Sequence, residues 1–182
     1  MMFTARGISS NQWWRRGRSH IDETEIWSKT GEKYQELSPR GAKQLWPMTT
    51  ADGSKTYFVS DRSGWWNLYQ ERDGGIVPLH PKEAEFGQPG WVFGMSTYGF
   101  ANEVRIICAF TQRGLWQIGD LDVGSGDLVT VPTPFTDVSG IQTGDGFVAF
   151  RAGSATMPTA VYRHELATGD TVPLRKSSEV AI

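Results

Sequence analysis

The chain has 182 residues, of which 38% are hydrophobic and 12% aromatic, and its formal net charge is −2. This length supports one sizeable core, while the slightly acidic balance excludes an electrostatic basis for binding nucleic acid or an anionic membrane. One cysteine excludes an intrachain disulfide framework, and no apolar run approaches the ~20 residues of a membrane helix, so we expect a cytoplasmic protein.

A short sequence pattern recurs four times along the chain. Its anchor is a pair of adjacent residues, at intervals of 42, 50 and 43 residues: Ile26-Trp27, Leu68-Tyr69, Ile118-Gly119 and Val161-Tyr162. A glycine-containing turn and a short strand follow each pair. A period in the forties built from short strands is typical of β-propeller blades. The sequence therefore predicts an all-β chain, a partial β-propeller of about three and a half four-stranded antiparallel blades.

The first blade is a remnant at residues 13–37, in which only the outer strands, 25–28 and 33–37, can be placed. Its basic run at 15–18 follows two tryptophans, and arginines stacking on those rings explain it better than an RNA-binding patch in an acidic chain. The acidic run at 22–25 lacks the alternation and the glycine of a calcium loop, so we expect a solvated turn there.

The second blade, residues 44–79, is the most regular. Its predicted segments are strands at 44–48, 57–59, 65–71 and 76–79, with turns at 51–54 and 61–64. We expect the Asp61 carboxylate to accept backbone N–H groups of its turn. Trp65 and Trp66 point to opposite sides of a strand, so one leaves the blade face. That tryptophan either packs on a neighbouring blade or is exposed for contact, and we expect packing.

The third and fourth blades are predicted at residues 91–131 and 139–174. Their strands are expected at 91–93, 105–110, 115–121 and 127–131, and then at 139–141, 147–151, 159–166 and 171–174. Cys108 lies in an apolar run and is expected to be a buried structural thiol. The three histidines fall in different blades without metal-ligand spacing: His20, His80 as a loop cap, and His164 on the surface of a strand.

These segments make one domain, residues 1–182, that is incomplete as a propeller. Three blades and part of a fourth do not close a ring of the usual four to eight blades. Open ends would expose strand edges and an apolar blade face. We therefore expect the chain to belong to a larger propeller, or to self-associate through its open blade edges.

The connections between strands predict a binding face. The turns between third and fourth strands are short and glycine-rich, whereas the segments 79–89, 132–137 and 151–158 are longer, and binding usually uses longer connections. The candidate residues on that face are Arg62, Trp65, His80, Glu83, Glu85 and Arg151. The alternative is that these connections only seal the junctions between blades.

Catalytic residues, metal ligands and cofactor motifs are not predicted for this chain. A nucleophile elbow needs Gly-x-Ser-x-Gly on a strand-to-helix turn. The string at 94–99 (GMSTYG) is one residue too long and lies in a strand–turn setting. An enzymatic alternative would use Glu83 and Glu85 as a sugar-cleaving carboxylate pair, on their proximity alone.

Long strings of the chain resemble a known family. The segments 51–53 and 57–69 (YFVSDRSGWWNLY) resemble the blade motif of propellers in the prolyl oligopeptidase family of serine peptidases, nearest to bacterial dipeptidyl and acylaminoacyl peptidases. The resemblance spans about residues 44–179, continuing through 83–87, 91–94, 96–98 and 148–154. The end, 174–179, is similar to the junction with the family's catalytic domain. Residues 13–18 and 25–27 more loosely resemble the first propeller of tricorn-type peptidases.

The resemblance implies a non-catalytic propeller segment whose partners are an α/β-hydrolase domain, absent from this chain, and short peptides. In the family the propeller covers the active site and restricts access to it; the family's catalytic Ser, Asp and His have no counterparts here. The competing hypothesis is a stand-alone or self-associating propeller that binds a peptide or glycan through its long-loop face.

Overall fold

The computed structural model describes residues 8–11, 25–30, 33–36, 44–50, 55–88 and 95–177. These segments form antiparallel strands joined by turns, with no helix among them. The chain divides into two compact units, Met1–Lys82 and Glu83–Ile182. The all-β class predicted from the sequence is confirmed.

The first unit contains two sheets. Sheet 1 consists of β1 (Ile8–Asn11), β2 (Glu25–Thr30) and β3 (Lys33–Glu36). Sheet 2 consists of β4 (Gln44–Thr49), β5 (Thr56–Ser60), β6 (Asn67–Arg72) and β7 (Gly75–Pro78). Each strand pairs with its sequence neighbours, the up-and-down order of a propeller blade.

The second unit repeats this arrangement twice. Sheet 3 consists of β8 (Tyr98–Asn102), β9 (Arg105–Gln112), β10 (Leu115–Asp122) and β11 (Leu128–Val131). Sheet 4 consists of β12 (Asp137–Gly144), β13 (Phe147–Ser154), β14 (Met157–Glu165) and β15 (Thr171–Lys176). Both sheets keep the strand order of sheet 2.

The first strand of sheet 3, β8, was not predicted from the sequence. The predicted strand at 91–93 lies outside the described residues, as does the predicted turn at 51–54, and β8 pairs with β9 in its place. Gly99 explains how β8 fits: a Cβ there would lie 2.8 Å from Oγ1 of Thr143 on β12. The pattern of hydrophobic residues along the sequence does not predict such a close contact between two sheets.

The core of the second unit lies between sheets 3 and 4. Its fully or nearly fully buried members are Ile107, Ala109 and Ile118 from sheet 3 and Phe135, Val138, Ile141, Val148, Phe150 and Ala152 from β12, β13 and the segment before them. Burying aliphatic and aromatic side chains stabilises each by roughly 1.5–3 kcal/mol. This contact joins the two sheets into one unit.

A stacked aromatic pair marks the internal repeat. In sheet 2, Phe58 stacks on Tyr69 with ring centroids 6.1 Å apart, and in sheet 4 Phe150 stacks on Tyr162 at the same 6.1 Å. Sheet 3 departs from the pattern because Gly119 stands in place of the tyrosine. A Cβ on Gly119 would lie 2.6 Å from Cδ1 of Leu128, so the leucine occupies the space.

Cys108 and His164 are both buried. The prediction for Cys108 is confirmed, since it is fully buried and its thiol lies 3.6 Å from the carbonyl oxygen of Gly119. The surface position expected for His164 is wrong, because the side chain is only 5% exposed. It lies on the same side of β14 as buried Ala160, and its Nδ1 is 2.8 Å from Oγ1 of Thr171.

The lengths of the turns differ from the prediction. The turns between second and third strands are long only in sheet 2, at 61–66; in sheets 3 and 4 they are the two-residue turns 113–114 and 155–156. Arg113 and Gly114 both have positive φ, 54° and 80°, as a type I′ hairpin requires. The sequence does not predict this turn, because Arg-Gly is not one of the residue pairs typical of type I′ turns.

Candidate functional site

The turn 61–66 of sheet 2 presents two of the predicted site residues. It is closed by the backbone N–H of Gly64, which donates to the carbonyl oxygen of Asp61 at 2.8 Å. Gly64 has φ +88°, a conformation that suits glycine. Trp65 follows Gly64 and is 40% exposed, so the expected packing is wrong for this residue. Trp65 and Trp66 both precede β6, so their side chains do not alternate as they would within a strand.

Arg62 is held by aromatic rings. Its guanidinium carbon lies 5.0 Å from the centroid of Phe58 and 4.8 Å from that of Tyr69, and its Nε donates to the hydroxyl of Ser60 at 3.1 Å. Burial lowers the pKa of Arg62, while Tyr69 and Asp61 act in the opposite direction. The rings and Ser60 therefore hold the guanidinium of Arg62 in a fixed, partly buried position at this end of sheet 2.

Asn67 fixes the connection that carries His80. Its buried amide donates from Nδ2 to the carbonyl oxygen of Lys82 at 3.0 Å, and its Oδ1 accepts the N–H of Lys82 at 2.9 Å. Nδ2 also lies 3.2 Å from the carbonyl oxygen of Trp65. One side chain thus attaches the segment after β7 to the start of β6, and half-buried His80 lies within that segment.

Glu83 and Glu85 lie beside the end of β9 in the second unit. Glu85 exchanges two backbone hydrogen bonds with Thr111, both 2.9 Å, and Nε2 of Gln112 donates to the carbonyl oxygen of Glu83 at 3.2 Å. Between and after them, Ala84 and Phe86 are buried, with Phe86 stacked on Phe110 at 5.1 Å. The buried residues hold the segment while Glu83 remains exposed.

Arg151 does not lie on a connection. It belongs to β13, where it is exposed, and its Nη2 donates to the hydroxyl of Ser139 at 3.1 Å. The segment 151–158 was expected to be a loop, but β13 continues to Ser154 and β14 begins at Met157. Arg151 is therefore separated from the turn at its end of the sheet.

The structure thus groups the candidates within each unit. Arg62, Trp65 and His80 lie on segments joined at one end of sheet 2, and Glu83 and Glu85 lie together at one end of sheet 3. Asn67, which sequence analysis did not select, organises the first group; its signal is an amide at the same point of two repeats, since Gln117 follows Leu115-Trp116 as Asn67 follows Trp65-Trp66.

The chemistry that these groups offer is contact by charge and by an exposed indole. Within the residues that the structure describes, no cluster of three or more histidine, cysteine or acidic side chains could hold a metal ion. The described part of the chain also contains no helix long and apolar enough to cross a membrane.

The chain matches solved structures by its fold. No family model and no curated protein matches the chain. Among solved structures, a puromycin-hydrolyzing peptidase of Mycobacterium tuberculosis matches with a TM-score of 0.83 and 23% identity, over 97% of this chain and 28% of that one. A prolyl endopeptidase matches with a TM-score of 0.63 and 14% identity, over 86% and 23%. TolB from Acinetobacter baumannii matches with a TM-score of 0.63 and 15% identity, over 85% and 38%.

These likenesses establish the fold. The chain is a partial all-β propeller, of the kind found in the matched regions of these proteins. It spans 28% of the length of the puromycin-hydrolyzing peptidase of Mycobacterium tuberculosis. Sequence identities of 14–23% support a shared fold and do not assign the activities of those proteins to this chain.

Proposed function

We propose that this chain is a non-catalytic propeller segment of a serine oligopeptidase or exopeptidase. It works with an α/β-hydrolase domain, covers the active site of that domain and restricts access to short peptides. The observation that supports this most strongly is the TM-score of 0.83 over 97% of the chain with a puromycin-hydrolyzing peptidase. The string at 57–69, which resembles the family's blade motif, supports it independently.

The packing of the sheets supports the proposed selection by size. All five residues of β5 and the five residues Ile106–Phe110 of β9 are buried, so these strands cannot separate without exposing a core. Close-packed protein interiors resist deformation. A wall made of such sheets excludes a folded protein by its size, whereas a short extended peptide can pass.

The first test is an assay of the purified chain on aminoacyl and dipeptidyl chromogenic substrates. We expect no turnover, because the catalytic residues are to come from the hydrolase domain. Turnover that persists after treatment with a serine-directed inhibitor would contradict the proposal.

The second test is the coding DNA around this chain. The proposal requires a Gly-x-Ser-x-Gly motif in the same reading frame, followed by an aspartate and a histidine in the order of α/β-hydrolases. A frame that lacks this motif would contradict it.

A second candidate function is a stand-alone module that binds a peptide or glycan. It is favoured by Trp65, which is 40% exposed and lies on the turn 61–66 that also carries Arg62. Its assembly state separates the two proposals: a closed, monodisperse oligomer in sedimentation velocity supports the binding module, whereas an open monomer or an aggregate supports the peptidase segment.

A further inference from the structure

Sheet 4 has two faces of different chemistry. Val148, Phe150 and Ala152 of β13 point to the core that is shared with sheet 3. Because side chains alternate along a strand, the residues between them point the other way. The strand registers complete this second side, which we call the outer face: Asp137 and Ser139 of β12, Ala149 and Arg151 of β13, Val161 and Arg163 of β14, and Val172 and Arg175 of β15.

The outer face is uncovered, although the equivalent face of sheet 3 is covered. In the repeat, Val161 corresponds to Ile118, and their cross-strand partners Arg151 and Ala109 correspond as well. Ile118 and Ala109 are fully buried beneath sheet 4, whereas Val161 is 37% exposed. Val172, also on the outer face, is 48% exposed.

Arginines distinguish this face from an ordinary junction between blades. Arg163 is neutralised locally, since its Nε lies 2.5 Å from Oε1 of Glu165 and its guanidinium lies over the ring of Phe147 at 3.7 Å. Arg151 has a neutral partner, Ser139. Asp137 is exposed on the same face, two residues before Ser139 on β12, but within residues 95–177 neither Arg151 nor Arg175 makes an ion pair.

These two arginines form a defined pattern. Arg151 is the register partner of Val161, and Val161 is the partner of Arg175, so the three lie side by side across three strands. With strands about 4.8 Å apart, the two guanidinium groups start from backbones roughly 10 Å apart with an aliphatic side chain between them.

The chemistry of an occupant follows from this pattern. A purely apolar sheet placed here would remove Arg151 and Arg175 from water without compensation, which is strongly unfavourable. Carboxylates placed opposite them would instead form short, charge-assisted hydrogen bonds. A second copy using the same face is disfavoured, because a two-fold interface would bring the two sets of arginines together.

We propose that the outer face of sheet 4 is a docking surface for a further blade that presents two carboxylates on either side of an apolar residue. This deepens the proposed function and rests on it, since the occupant is another blade of the same peptidase propeller. The junction is specified by charge, in contrast to the apolar junction between sheets 3 and 4.

The test uses the full 182-residue chain and a defined probe. The probe is a fluorescent, disulfide-cyclised β-hairpin peptide that carries a Glu-Ile-Glu row across one face, with a Gln-Ile-Gln peptide as its analogue. Fluorescence anisotropy measures the affinity of each peptide. We expect the acidic hairpin to bind at least tenfold more tightly, and salt to weaken its binding.

The variants locate the binding on the outer face. Replacing both arginines, Arg151→Gln and Arg175→Gln, is expected to weaken the acidic hairpin at least tenfold. The matched control removes two exposed charges elsewhere, Lys176→Gln and Arg113→Gln, and is expected to change affinity less than twofold. Lys176 lies next to Arg175 but is the register partner of Ala160, on the inner side. Circular dichroism confirms that both double variants are folded.

Equal affinity for the acidic and neutral hairpins, or equal losses in the two double variants, would overturn this inference. So would a salt-sensitive dimer of the chain that Arg151→Gln abolishes, since the occupant would then be a second copy. None of these results bears on the peptidase assignment, which the coding DNA and the assay decide separately.

Discussion

At the scale of single residues, two buried polar side chains make hydrogen bonds that hold the described structure. The side-chain amide of Asn67 both donates to and accepts from the backbone of Lys82, the pair of hydrogen bonds that a neighbouring strand would make. His164 is buried in sheet 4 with a hydroxyl partner. A buried polar group is costly once its partner is lost, so both residues should report strongly on stability.

Replacing Asn67 should detach the connection after β7. We expect Asn67→Ala to lower the free energy of unfolding by about 1–3 kcal/mol, since it removes both hydrogen bonds between the buried amide and the backbone of Lys82. Urea denaturation measures the loss, and limited proteolysis should show faster cleavage near residues 79–82. The control is Asn102→Ala, which removes one exposed hydrogen bond to Val104 and should cost less than half as much. Equal losses in the two variants would contradict the role of Asn67.

His164 should make stability depend on pH. Burial is the largest influence and lowers its pKa below 6.5; Arg105 also lowers it, while Glu165 and Asp170 raise it. Because the unfolded chain takes up the proton more readily, stability is full above pH 6.5 and falls as the pH drops toward the folded-state pKa, by at most ~1.4 kcal/mol per pH unit. Thermal melts between pH 7.5 and 5 measure this. His164→Asn, which can retain the contact to Thr171, should flatten that dependence, and an unchanged profile would contradict it.

At the scale of elements, each blade solves the same packing problem with different side chains. Sheets 2 and 4 stack a phenylalanine on a tyrosine, whereas sheet 3 pairs Cys108 with Gly119 and fills the space with Leu128. The turns differ in the same way: sheet 2 uses the six-residue turn 61–66, and sheet 3 a two-residue turn with positive φ at both positions.

The packing of Gly119 can be tested by a double-mutant cycle. We expect Gly119→Ala to destabilise the protein by roughly 1–3 kcal/mol, because the new methyl group meets Leu128 at 2.6 Å. Leu128→Ala should remove that clash, so the double variant should lose less than the sum of the two single variants. Gly75→Ala is the control, since its nearest contact would be an ordinary 3.6 Å. Additive losses in the cycle would show that Leu128 does not confine Gly119.

The β9–β10 turn offers a stabilising substitution. Arg113 has φ 54°, which asparagine tolerates better than arginine, and Asn-Gly is a preferred pair for type I′ turns. We expect Arg113→Asn to raise the free energy of unfolding by about 0.5–1 kcal/mol, measured by urea denaturation. Gly114→Ala, at φ 80°, should have the opposite effect. A loss of stability in Arg113→Asn would rule out this account of the turn.

At the scale of the whole molecule, the chain has the fold of a propeller segment and covers 28% of a puromycin-hydrolyzing peptidase. If it filters substrates for a hydrolase domain, the complete enzyme should cleave peptides at rates that fall steeply with length. Removing residues 1–182 should then raise the ratio of cleavage of a long peptide to that of a dipeptide at least tenfold. Steady-state kcat/KM values for a length series measure this, and a ratio unaffected by the deletion would contradict the filter.

The sequence by itself determined the fold class and most strands, because those features depend on local patterns. The 42- to 50-residue repeat, the alternation of apolar residues and the glycine turns each act over a few neighbouring residues. They predicted sheets 2 and 4 nearly strand for strand, and the resemblance at 57–69 suggested the kind of protein in which such a propeller occurs.

Only the tertiary structure decided where individual side chains lie. Trp65 is exposed and Arg151 lies within a strand, both against expectation, because β6 begins only at Asn67 and β13 continues to Ser154. His164 is buried, also against expectation, because burial depends on what packs against a strand. β8 was not predicted because its fit depends on a distant residue. Thr143, 44 residues further along the chain, lies so close to Gly99 that a side chain there would clash with it. Contacts between residues so far apart leave no periodic signal in the sequence, and they decide which side of each strand meets water.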